Sequence, residues 1–126
     1  MNAADAPSAT EGFVERFAQA WADPTPEALA ALVHPDTQNR YPGLDQPVGR
    51  TGVEAYFRTV LDAMPDMTLR VDRWVAQEDT VWIEWTATAR KRSWSGVDIA
   101  TLRGDREMAA VIYFDTQQAR RALPTD

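Results

Sequence analysis

The sequence predicts an α+β domain in which three N-terminal helices pack inside a strongly curved antiparallel sheet. Three observations carry this. Apolar residues recur at helical spacing in three runs before Pro65, and after Asp66 the chain turns to β-rich runs with two-residue alternation. The links between those later runs are too short for anything but antiparallel neighbours. A length of 126 residues, 44% hydrophobic and 25% charged, fits one domain. We read it as residues 11–123, behind a loose Ala- and Pro-containing tail over residues 1–10.

In the first helix Phe13, Phe17 and Trp21 draw one stripe with Val14 and Ala20 beside them, and Thr10 is a candidate cap. Asp23-Pro24-Thr25-Pro26 breaks that helix. Thr25 then serves as N-cap of a second, with Pro26 at its first position and Leu29, Leu32 and Val33 as its stripe, up to His34-Pro35. A short extended segment, Asp36 to Tyr41, leads into the loop Pro42 to Pro47, where prolines and a glycine deny a regular ladder. The third helix, Gly52 to Ala63, buries Val53, Tyr56, Phe57, Val60 and Leu61, with Met64 continuing the stripe before Pro65 stops it. Four strands follow, at Met67–Ala76, Thr80–Ala89, Trp94–Leu102 and Glu107–Asp115.

Alternation sends Val81, Ile83, Trp85 and Ala87 toward the helices. It also groups Trp94, Gly96, Asp98, Ala100 and Leu102 on one face of the next strand without orienting that strand. With this set inward, Asp98 is a carboxyl among aromatic and small residues, where loss of water raises its pKa; with it outward, Asp98 is an ordinary surface acid. Trp82, and on the same assignment Trp74, falls on the outer face, which suggests an apolar surface covered by a second copy.

Composition narrows the function classes. A net charge of −6 repels a phosphate backbone, and no apolar run is long enough for a membrane-spanning helix, so neither nucleic acid nor membrane is an expected partner. The basic cluster Arg90-Lys91-Arg92 reads as a solvated hairpin end. The beginning of the chain lacks the pattern of a secretion signal and there is no cysteine, which makes the expected location cytoplasmic. One histidine, His34, read as a helix-end cap, and acidic residues without ligand spacing imply no metal; no glycine-rich phosphate loop follows a strand, so no cofactor is expected.

The order of elements, the loop Tyr41-Pro42-Gly43 to Val48-Gly49-Arg50-Thr51-Gly52, the dipeptide Pro65-Asp66, the strand Thr80 to Thr88 and the ending Ile112-Tyr113-Phe114-Asp115 together resemble the SnoaL-like polyketide cyclases. Those proteins have the nuclear transport factor 2-like fold, a cone shared with ketosteroid isomerase and limonene epoxide hydrolase. By similarity to the isomerase, Asp98 falls where that enzyme places a protonated, oxyanion-stabilising Asp. The isomerase's general base matches the neighbourhood of Arg40 and Tyr41, and its oxyanion Tyr matches Phe17. The hydrolase's catalytic positions match Trp85, Ala87 and Ile112. The resemblance to the cyclases implies one acid on the last strand, for which Asp115 is the candidate.

The resulting expectation is a cofactor-free enzyme that transfers protons on a small apolar carbonyl compound, for cyclisation, isomerisation or dehydration. Asp98 is its acid/base or donor, Tyr41 a second donor, and Phe17, Tyr56, Trp85, Trp94, Ile112 and Phe114 its substrate-binding walls. The alternatives are a non-catalytic module that binds a small ligand or dimerises, and an assembly domain whose aromatic residues fill the cone.

Overall fold

In the computed structural model, which describes residues 8–123, the chain runs α1 (Ala9–Ala22), α2 (Pro26–Ala30), β1 (Val33–Arg40), α3 (Arg50–Ala63), β2 (Thr68–Gln77), β3 (Thr80–Ala89), β4 (Arg92–Arg103), β5 (Arg106–Phe114) and α4 (Thr116–Arg121). The expected tail lies, over residues 1–7, outside the described residues. Ser8, not Thr10, caps α1, its hydroxyl accepting the Glu11 N–H at 3.1 Å, so Ala9 and Thr10 are helical. Thr25 caps α2 through the Ala28 N–H at 3.0 Å.

The second helix is shorter than its stripe suggests. It stops at Ala30, and Leu32 and Val33 are buried on the way into β1. His34 is therefore no helix-end cap: it is the second residue of β1, and its Nδ1 accepts the Asp36 N–H at 3.0 Å. The extended segment expected from Asp36 is the later part of this strand.

The sheet has the order β1-β5-β4-β3-β2 and curls without closing. The four strands expected after Asp66 pair antiparallel in chain order, and β1 adds a fifth, parallel to β5. Arg90 and Lys91, both at positive φ (52° and 64°), form the two-residue turn between β3 and β4, a geometry whose twist matches that of the flanking strands. The side chains of Arg90, Lys91 and Arg92 are exposed there.

Two bulges decide which side chains face inward. In β2 the register shifts between Val71 and Arg73, so Leu69 and Val71 face the helices before it and Trp74 after it. Trp74 thus sits opposite the buried Ile83 and packs against the core instead of sharing the outer face with Trp82. In β5, Ala109 pairs with Thr101 and Glu107 with Leu102, so Met108 is the extra residue and Glu107 turns inward.

β4 presents its Trp94, Gly96, Asp98, Ala100 set to the interior, opposite Ala87, Trp85, Ile83 and Val81. Gly96 makes this possible. A Cβ there would run into the Trp85 ring, with Cη2 at 2.5 Å, and into the Tyr113 carbonyl at 2.6 Å, so only glycine lets the indole lie across the strand.

Inside the curl, α1 packs on β2, and α3 packs on α2 and β1. Phe13, Val53, Val81, Ile83 and Ala87 are sealed from solvent at the centre. The helix α4 was not expected from the sequence. Asp115, read as the end of the last strand, is its N-cap, accepting the Gln118 N–H at 3.0 Å. No helix among the described residues is long and apolar enough to cross a membrane.

Candidate functional site

The cone holds a cavity of about 100 Å³. All eight residues singled out from the sequence border it: Asp98 and Tyr41, with Phe17, Tyr56, Trp85, Trp94, Ile112 and Phe114. Asp115 does not, being exposed and committed to the cap of α4.

The walls are apolar, built from aromatic and aliphatic side chains together. Tyr41 stacks on Tyr56 with ring centroids 4.3 Å apart and planes 17° apart, and Phe57 meets both rings edge-on, at 5.5 and 5.2 Å. Across the cavity Trp85 tilts against Phe114 at 6.1 Å. Ala119 of α4 also borders the space, so the unexpected helix contributes to its wall.

Two polar stations interrupt this lining. At the first, Asp98 on β4 accepts a hydrogen bond from Trp85 Nε1 on β3 at 2.8 Å. Trp85 lies two residues beyond Asp98's own cross-strand partner, Ile83, on the same inner face, so the pleat alone brings indole and carboxyl together. Burial pushes the Asp98 carboxyl up to about 7, against the opposing effect of the Trp85 hydrogen bond.

At the second station only Tyr41 was expected from the sequence; Thr37, Asn39 and Glu107 were not. Thr37, Asn39 and Tyr41 are successive inward residues of β1 and its exit, all buried. Asn39 Oδ1 accepts from the Thr37 hydroxyl, while its Nδ2 donates to Tyr41 Oη at 3.2 Å and to Glu107 Oε1 at 3.0 Å. All the amide's main bonding positions are used, which fixes its orientation. Because the Tyr41 oxygen accepts from Asn39, its own hydrogen remains available to donate. Burial raises the Tyr41 hydroxyl well above its ordinary value, with the Glu107 charge next, so it stays a neutral donor.

Glu107 is 4% exposed. Burial, followed by the charge of Asp98, drives its carboxyl up to about 8, and the Asn39 hydrogen bond works in the other direction. Strict alternation from Ile112 sends Glu107 outward, and only the extra residue Met108 reverses this. In the sequence Glu107 is the first residue of the expected last strand, beside the charged turn, and nothing there marks it as inward. Asn39 did leave a signal, the alternation Thr37, Asn39, Tyr41, but polar inner residues on a short strand look like any solvated segment.

No Lys, Arg or His among the described residues borders the cavity. Among the described residues no group of three or more His, Asp or Glu comes together as a metal ion requires. The arrangement is thus two weakly acidic carboxyls and two phenols facing an aromatic, cation-free space. It is chemically suited to donating and accepting protons.

Residues 14–109 match the family model of the SnoaL-like domain. The chain belongs to the SnoaL-like domain family. No curated protein matches the sequence. Among solved structures, this SnoaL-like chain is similar to wild-type IdmH, a candidate polyketide cyclase from Streptomyces antibioticus, at 18% identity and a TM-score of 0.74, covering 87% of this chain and 94% of that one. It is similar also to a protein from Catenulispora acidiphila with a ketosteroid isomerase-like fold, solved in complex with trimethylamine, at 17% identity and a TM-score of 0.74, covering 89% and 93%. A protein of unknown function from Burkholderia pseudomallei with the nuclear transport factor 2-like fold aligns at 20% identity and a TM-score of 0.78, covering 94% and 99%. At these identities the likeness establishes the shared fold, and function rests on the site.

Proposed function

We propose that this SnoaL-like protein is a cofactor-free enzyme that transfers protons on a small apolar carbonyl compound, in a cyclisation, isomerisation or dehydration. The observation that carries this reading is Asp98: a carboxyl raised to about 7 at the edge of an aromatic cavity, held by one neutral donor and facing no cation. In this reading Asp98 moves the proton, Tyr41 donates to the substrate oxygen, and Phe17, Tyr56, Trp85, Trp94, Ile112 and Phe114 hold the apolar body. The description of IdmH as a candidate polyketide cyclase supports the same substrate class.

A generic enolisable ketone tests it. The wild-type protein is expected to accelerate exchange of the α-hydrogens of 2-tetralone for deuterium in D2O, followed by proton NMR. A rate no faster than buffer alone would count against the reading.

The same reading includes a homodimer paired through the outer sheet face. Val75, Trp82, Ile99 and Val111 form one row across four strands on that face, and Val97 and Tyr113 lie in the next. Val75 and Tyr113 are 64% and 57% exposed, more surface than large apolar side chains usually leave to water. Light scattering at micromolar concentration is expected to give the mass of two chains; the mass of one chain would remove the dimer.

A further inference from the structure

Building on the proton-transfer reading above, we propose that Glu107 is a second catalytic acid of this cavity, giving its proton to the carbonyl oxygen of the substrate while Asp98 takes the α-hydrogen. The geometry comes first. Each carboxyl has one oxygen held by the protein, Asp98 Oδ1 by Trp85 and Glu107 Oε1 by Asn39. Neither second oxygen has a hydrogen-bond partner among the described residues, yet no sealed side-chain polar atom there lacks one. Both residues border the cavity, so these two oxygens open onto it.

Asn39 determines which oxygen of Glu107 carries the proton. Its amide hydrogen occupies Oε1, and its own orientation is locked by the Thr37 hydroxyl. The proton of the neutral acid therefore sits on Oε2, toward the ligand. The Tyr41 hydroxyl, bound to the same amide nitrogen, is a second donor beside it.

The other titratable groups facing Glu107 are Tyr41 from the end of β1, Tyr56 from α3 and Asp98 from β4, and no basic side chain offsets them. The two carboxyls differ in the useful direction. Burial raises both, Asp98 to about 7 and Glu107 to about 8, and the Asp98 charge is a further cause at Glu107, so an ionised Asp98 favours retention of the proton on Glu107. Near neutral pH one is a base and the other an acid, a pairing produced by environments that separate two similar groups.

The step balances without a co-reactant. The substrate C–H bond breaks, its proton joins the Asp98 carboxylate, and its electrons form C=C. The carbonyl π pair becomes an O–H bond with the proton from Glu107, leaving an enol, protonated Asp98 and ionised Glu107. Asp98 exchanges its proton with solvent and returns one to carbon, and the enol proton goes back to Glu107, which closes the cycle.

The test uses full-length protein and 2-tetralone. Wild-type exchange is expected to peak between the two carboxyl titrations and to fall on the alkaline side as Glu107 ionises. Glu107→Gln, which keeps a neutral donor of the same shape but cannot release a proton, is expected to lose about ten-fold or more in rate and to lose that alkaline limb. In the wild-type protein the Glu107 carboxyl, followed by carbon-13 NMR, is expected to stay protonated well into neutral pH, and Asp98→Asn to lower its titration. A Glu107→Gln variant with the wild-type rate and pH profile overturns the assignment, as does a Glu107 carboxyl that is ionised in mildly acidic solution. Wild-type protein that produces no exchange overturns the proton-transfer reading and this role with it, whereas exchange with an unchanged profile in Glu107→Gln overturns this role alone.

Discussion

Replacing Asp98 with Asn is expected to slow exchange of 2-tetralone by about 10²- to 10⁴-fold, the usual contribution of a positioned acid/base. The substitution is informative because it changes so little else. An Asn oxygen still accepts from Trp85 Nε1, and the side chain has the same shape, so the indole lying across Gly96 keeps its place. What is removed is the capacity to ionise. Exchange within two-fold of wild type, with the fold intact by circular dichroism, would rule Asp98 out as the proton carrier.

Stability is expected to fall as pH rises through the neutral range, and two residues account for the fall. In the unfolded chain Asp98 and Glu107 ionise near their ordinary values of 3.8 and 4.5; in the folded protein they hold their protons to about 7 and about 8. Between those limits the folded state binds protons that the unfolded state has released. The stabilisation is therefore complete below about pH 4, declines above it, and is fully lost once pH has passed the folded values. Each pKa unit is worth about 1.4 kcal/mol, so shifts of roughly three units withdraw on the order of 4 kcal/mol per carboxyl by mildly alkaline pH.

Exposed Asp72 and Glu27 act in the opposite sense. Asp72 is lowered chiefly by the Thr86 hydroxyl and Glu27 chiefly by a backbone hydrogen bond, so both favour folding above their unfolded values and lose this on acidification. The maximum thus falls in mildly acidic solution. Urea unfolding across the pH range is the measurement. Asp98→Asn and Glu107→Gln are each expected to flatten the decline, and to stabilise more at alkaline than at acidic pH. An equally stable wild type from mildly acidic to mildly alkaline pH would contradict the burial of these groups as ionisable partners.

The helical stripes and the strands from Thr80 onward were legible because each buries one face, and burial of one face imposes a period on the sequence. The same periodicity grouped Trp94, Gly96 and Asp98, and Trp85 with Ile83, although the orientation of β4 depended on its partners. What escaped were departures from period. Met108 as an extra residue turned Glu107 inward, and the shift after Val71 did the same for Trp74. The short helix α4 carries no apolar stripe, and its capping Asp115 looks like a strand end. The parallel pairing of β1 with β5 joins residues far apart in sequence, which local patterns do not reveal. Asn39 belongs to that strand, so the second polar station was hidden along with the contact that creates it.

The irregularity in β2 has one more effect, on how chains avoid one another. β2 is an outermost strand, and where its ladder is broken Asp72 binds the Thr86 hydroxyl, with Arg70 and Arg73 beside it and exposed. At the opposite edge Val48 returns to bond Asn39 through both backbone groups, at 2.8 and 2.9 Å. A foreign strand seeking to extend the sheet meets a kinked, charged border on one side and an occupied one on the other. Edge-to-edge stacking of crowded copies is thus disfavoured at Asp72 on one margin and at Asn39 on the other.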